Sequence, residues 1–286
     1  YQDISYYNLR NKKIFNHDEY LGDRALKKAI AFSKNILKKN DDLANTFLFP
    51  YTTETCTNDL LYKSYKVSKS LNIPLRTHFA QYKSEVDSTY KFHKISPLER
   101  LNKLKILDHN LTLTHSIYLD KNNKQNEIST KDLKCLYDTG TNICHCPVVY
   151  LRKGYGLNSF QSLVNSGINV GIGTDTVPPD IIKEMSATSM LSKIKDDDPT
   201  SGNSRQVYNA ATLGGAKALN RKDLGRLDKG CRADILIINI SNLRTGLVDD
   251  PIKALVYYSC SNDIKTVIIN GTIVLDDYDI IGLDEG

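Results

Sequence analysis

Several things are missing from this 286-residue chain, and each absence removes a class of protein. No stretch approaches about 18 uncharged apolar residues, so nothing in it reads as a membrane-spanning helix. The first residues, Tyr-Gln-Asp-Ile-Ser, lack the basic-then-apolar pattern of a secretory signal, and no Met precedes them. No C-x-x-C pair occurs among the cysteines at 56, 135, 144, 146, 231 and 260, which argues against a thiolate zinc site. Buried thiols in a reducing cytosol are the expectation, and with them a cytoplasmic protein. The basic excess, 38 Lys and Arg against 33 Asp and Glu, is scattered along the chain. Without a cluster it serves solvation, so neither nucleic acid nor a membrane is expected as partner. Neither a G-x-G-x-x-G nor a P-loop occurs, and LRKGYG at 151–156 is too short and too basic-flanked to cradle a phosphate. That leaves a sugar- or nucleotide-binding α/β protein without its signature.

What is present is ordinary globular material: 40% hydrophobic and 25% charged residues, in a length that suits one large or two ordinary domains. Short apolar runs alternate with helical spacing. FLFPYTT (47–53), PLRTHFA (74–80), LTLTHSIYL (111–119), TNICHCP (141–147) and NVGIGTD (169–175) read as strands. Helices are expected over 60–70, 97–107, 129–137 and 159–166. Ser96 with Pro97 and Glu99 forms a start signal, and Ser129 with Gly140 brackets another helix. A polar loop, DKNNKQNE, separates the third strand from its helix. Two further helices, over 181–195 and 204–219, flank the acidic turn DDDPTSGN. The tail reads as a small β unit: ADILIINI (233–240), then a hairpin over 264–275 turning on Asn270-Gly271. No element is assigned before residue 47.

Repeated strand–helix units point to an α/β fold with a parallel sheet and crossover helices. Four strands end in ionisable side chains: His78, His115, His145 and Asp175. In a (β/α)8 barrel the carboxyl ends of the strands build the active site, and a doubly wound sheet places ligands there too. Three imidazoles and a carboxylate suit zinc or iron, which would bring the pKa of a bound water to about 7. Histidines satisfied within a core are the competing account of the same spacing.

The local sequences add to this. THFAQ around His78, LTHSIYLD around His115, CHCPVVYLRKG around His145 and GIGTDTVPPD around Asp175 resemble, in order and spacing, the amidohydrolase superfamily. The likeness is to its branch of triazine hydrolases, guanine deaminase and related aminohydrolases. The tail AATLGGAKALNRKDLGRLDKGCRADILIINI resembles that branch's closing helix and returning β-sandwich. The resemblance runs from about residue 40 to the end and implies a (β/α)8 barrel with a small appended β-sandwich. It implies a metal-dependent hydrolase that attacks a ring carbon of an N-heterocycle with metal-activated water, as a deaminase, aminohydrolase or chlorohydrolase. The cofactor would be a divalent metal, zinc first and iron second; the partner would be a small heterocyclic substrate, and homo-oligomers are open.

Carried over residue by residue, the resemblance makes His78 and Asp175 metal ligands, with Asp175 also the general base. His115 would polarise the substrate, and His145 would support the site or face the substrate, a structural turn histidine being the other reading. Glu184, nine residues after Asp175, would face the substrate or be a solvated helix carboxylate. Two departures stand out. Many deaminases of the branch carry Glu three residues after the metal-binding His; here that position is Gln81, whose amide hydrogen-bonds but cannot shuttle a proton. The family's first barrel strand also ends in His-x-His, and this sequence contains none. The expectation is therefore an incomplete barrel, about strands 4–8, over residues 1–220, and the C-terminal part of the sandwich over 221–286, within a longer protein. Both departures also fit an inactive homologue that serves as a binding or scaffold protein.

Overall fold

Thr57, Ser96, Ser129 and Asp180 each turn a side-chain oxygen onto a backbone N–H of the first turn that follows, and so start four of the helices. The computed structural model describes residues 1–9, 12–41, 43–119, 128–155, 159–241, 246 and 248–282. The polar loop DKNNKQNE and the last residue of LRKGYG lie outside the described residues. The chain divides into two compact units, the first made of residues 1–144 and 166–168, the second of 145–165 and 169–286.

In the first unit an antiparallel pair, β1 (Ile4–Leu9) and β2 (Lys12–His17), precedes the long helix α1 (Glu19–Lys39). Then come α2 (Asn58–Leu71), β3 (Leu75–Phe79), α3 (Lys83–His93), α4 (Pro97–Lys103), β4 (Leu111–His115), α5 (Thr130–Thr139) and β5 (Asn142–His145). Strands β3, β4 and β5 pair in parallel, with His78 opposite Thr114 and Thr114 opposite Cys144. Leu75, Thr77 and Phe79 point to one face of β3 and are buried, while Arg76 and His78 share the other, half-buried face. Burying such apolar side chains stabilises the unit by about 1.5–3 kcal/mol each.

Several expected strands are shorter than the sequence suggests; 169–175 keeps only Val170–Ile172, and 141–147 only Asn142–His145. The run 47–53 makes only two isolated parallel bridges with β3, Leu48 to Leu75 and Thr52 to His78. Leu48 donates to Pro74 and accepts from Arg76, but the next donor in the ladder falls on Pro50, which has no N–H. The run 111–119 stops as a strand at His115. There the backbone turns left-handed, with φ +79° at His115 and +55° at Ser116, and the N–H groups of Ser116, Ile117 and Tyr118 reach back to Phe79 and Ala80.

The second unit holds α6 (Pro147–Leu151), α7 (Phe160–Asn165), β6 (Val170–Ile172), α8 (Ile181–Asp196), α9 (Ser204–Asn209), α10 (Gly215–Ala218) and α11 (Pro251–Tyr257). The helix expected over 204–219 is interrupted by a π-helical turn, Ala210–Gly214. Its close approach to β6 needs glycine: a Cβ on Gly214 would lie 2.1 Å from the Val170 carbonyl oxygen. Strands β7 (Ile235–Ile238), β8 (Ile264–Ile269), β9 (Thr272–Asp276) and β10 (Asp279–Ile280) form an antiparallel sheet in the order β10-β9-β8-β7. The β8–β9 hairpin turns on Asn270 and Gly271, both at positive φ, as a tight primed turn requires.

Cys56 and Cys146 are buried, and the other four cysteines are partly exposed rather than buried as expected. Among the described residues no helix is long and apolar enough to cross a membrane.

Candidate metal centre

In the first unit β3 carries His78 one residue before its end, beside the carbonyl of Tyr51. His78 Nδ1 lies 2.8 Å from that oxygen, which also accepts the His78 backbone N–H at 3.1 Å. A carbonyl oxygen only accepts, so Nδ1 carries the proton and the neutral ring keeps its lone pair on Nε2. A histidine set by a backbone carbonyl in this way has the tautomer and orientation of a metal ligand. Phe49 and Tyr51 stand edge-on to the His78 ring at 5.0 and 5.2 Å between centroids. His115, at the end of β4, stacks on it at 5.4 Å with the planes only 10° apart. Two imidazoles side by side at the ends of neighbouring strands are a donor set that suits a borderline divalent cation.

The backbone around these residues is unusual. Ala80, His115 and Ser116 all adopt positive φ without being glycine. Such strained residues concentrate where surrounding contacts hold a site in shape. Gln81 follows immediately, and its backbone N–H donates to Glu85 Oε2 at 2.9 Å. Glu85, on the first turn of α3, is buried and also accepts from the Thr53 hydroxyl. Burial pushes its carboxyl above the usual range, against the lowering effect of the hydrogen bonds from Thr53, Gln81 and Ala80. Arg100 lies buried on α4 and donates to the carbonyls of Thr53 and Cys56 and to Asn58 Oδ1. Burial pushes its guanidinium down to about 10, which leaves it charged at neutral pH.

In the second unit, His145 is buried, and its carbonyl accepts from Gly173 N–H at 3.0 Å. Its ring lies tilted against Phe160 at 6.0 Å. Asp175, three residues beyond β6, is exposed and holds φ +42°. Arg152 pins the segment that follows, with Nη1 donating to Thr176 Oγ1 and to the Val177 carbonyl, both at 3.0 Å. Glu184 corrects one expectation, since it is not a solvated helix carboxylate. It is 1% exposed on the first turn of α8, and its Oε2 accepts the Val148 backbone N–H at 3.0 Å. Burial pushes its carboxyl up to about 7; the Val148 hydrogen bond works against that, and the charges of Asp180 and Asp175 work with it. The bond ties α8 to the first turn of α6, directly after the His145-Cys146 turn.

Tyr51, Glu85, Arg100 and Arg152 are absent from the residues singled out by sequence. Only Glu85 carried a local signal, an acidic residue in the first turn of a helix.

The model of the amidohydrolase family matches residues 13–274. The chain belongs to the amidohydrolase family. It is 29% identical over 272 residues to a 5-methylthioadenosine/S-adenosylhomocysteine deaminase of Pyrococcus horikoshii, covering 94% of this chain and 62% of that protein. In three dimensions it is similar to an adenosine deaminase of Xanthomonas campestris with bound zinc, at a TM-score of 0.84 and 22% identity, over 92% of this chain and 58% of that one. A zinc complex of the atrazine chlorohydrolase of Arthrobacter aurescens superposes with a TM-score of 0.78 at 20% identity, over 89% and 56%. This member of the amidohydrolase family thus spans less than two thirds of the length of each of these relatives.

Proposed function

We propose that this chain supplies the later strands of an amidohydrolase barrel, about the fourth to the eighth, together with part of an appended β-sandwich. The division proposed is a barrel portion over 1–220 and a sandwich portion over 221–286. Its chemistry is the hydrolytic displacement of ammonia, an amine or a halide from a ring carbon of a small N-heterocycle, in the cytoplasm. The observation that carries the metal reading is the His78 Nδ1 contact with the Tyr51 carbonyl, which presents Nε2 as a ligand.

His78 and Asp175 are proposed to hold the divalent ion, zinc in first place and iron in second. When bound, such an ion supplies a water acidic enough to attack at neutral pH, with a pKa of about 7. Asp175, exposed three residues beyond β6, takes the proton of the attacking water and delivers it to the leaving group. His115 polarises the substrate beside His78, its neutral or charged ring donating to the nitrogen next to the attacked carbon. Gln81 orients the ring by hydrogen bonds but moves no proton. With Gln81 unable to shuttle, an amine or ammonia leaving group depends on the proton that Asp175 and His115 relay, whereas a halide departs without one. His145 and Glu184 line the substrate side, with Glu184 also fixing the turn after His145 through Val148. The 5-methylthioadenosine/S-adenosylhomocysteine deaminase among the relatives and the atrazine chlorohydrolase among the similar structures suggest the substrates to try.

The test offers the full-length protein an adenosine-type nucleoside and a chloro-s-triazine, and follows ammonia and chloride. Release of one product, lost on chelation and restored by zinc, is the expected result. Turnover of neither by zinc-loaded protein would contradict the proposal and favour an inactive binding homologue.

A further inference from the structure

We infer that Thr53, Glu85 and Arg100 form a buried lock that positions His78 for the metal, an inference that rests on His78 being a ligand. The Tyr51 carbonyl fixes the His78 ring, yet no regular strand holds that carbonyl, because the 47–53 segment meets β3 only at two isolated bridges. Side chains do the holding instead. The Thr53 hydroxyl donates to Glu85 Oε1, and the Thr53 carbonyl accepts from Arg100 Nη1 at 2.6 Å. Arg100 Nη2 reaches the Cys56 carbonyl at 2.8 Å and Nε reaches Asn58 Oδ1 at 2.7 Å, so the whole turn after Tyr51 is clamped.

The other oxygen of Glu85 accepts the Gln81 N–H, three residues beyond His78. One carboxyl thus ties the segment alongside β3 to the segment leaving it, and brackets His78 from both sides. Thr53 and Glu85 are each 1% exposed and Arg100 4%, so the lock is walled off from water. Burying an acid and a guanidinium costs desolvation that a well-packed apolar cluster would avoid. Stability alone is a poor reason for such a cluster, whereas a directional hold on a carbonyl needs hydrogen bonds. Ligand orientation set through such outer contacts is worth about 10–100-fold in metal affinity.

The experiment measures zinc affinity by chelator competition in the full-length protein and in T53V, T53S, E85Q and H78N. Thr53→Val keeps the shape and removes the hydroxyl, so zinc binding should weaken about tenfold, while Thr53→Ser should stay within about threefold of the parent. Glu85→Gln should weaken binding at least as much as Thr53→Val; melting of the zinc-free proteins checks that each is folded. Should E85Q fail to fold, the Val and Ser pair at position 53 decides alone. Equal zinc affinity in T53V and the parent, or an equal loss in T53V and T53S, would overturn the lock while H78N still loses zinc. Unchanged affinity in H78N would overturn the metal reading itself and the lock with it.

Discussion

Asp175→Asn in the full-length protein is expected to lower kcat by about 10³-fold or more while leaving the fold intact. The position makes this a clean substitution. Asp175 is exposed, so no core packing depends on it, and its φ of +42° is one that asparagine adopts readily. The amide keeps one oxygen for coordination but cannot accept a proton from water. The loss should therefore fall on kcat, and the melting temperature should move by little. A variant that retains kcat within tenfold would show that some other group removes the proton.

The second large effect is on stability. Arg100→Leu should lower the free energy of unfolding by at least about 2 kcal/mol, read from the urea midpoint at unchanged m-value. The leucine fills part of the space but leaves two buried acceptors, the Thr53 and Cys56 carbonyls, without their donor, while the exposed Asn58 can turn its Oδ1 to water. Each such orphan costs about 1–3 kcal/mol. Arg100→Lys keeps the charge but cannot reach all three in fork geometry, so it should fall between the two. An Arg100→Leu midpoint equal to that of the parent would mean that water or backbone movement satisfies these groups.

Local chemistry made much of the architecture legible. Ser96 and Ser129 cap their helices as their sequences suggest, Gly140 ends one at φ +70°, and Asn270-Gly271 turns a hairpin. Strand ends delivered His78, His115 and His145 because the parallel α/β pattern places such residues there. Other features were hidden for physical reasons. Pro50 breaks a ladder that the apolar run 47–53 otherwise implies, and the left-handed turn at His115 shortens a strand whose side chains read as continuous. The opening hairpin and α1 went unassigned although Asp18 caps the helix and Lys38 and Lys39 close it. Glu85 and Arg100 bind partners 32 and 47 residues away in sequence, and no local spacing announces such pairs. Glu184 looked solvated because a helix carboxylate usually is; its burial follows from how α6 and α8 pack.

The most direct test of the central claim is the zinc content of the purified full-length protein after reconstitution, set beside that of His78→Asn. About one zinc per chain in the parent, largely lost in the variant, is the result expected of a catalytic metal centre built on this histidine. A parent that holds no zinc, or a His78→Asn protein that holds as much as the parent, would contradict it.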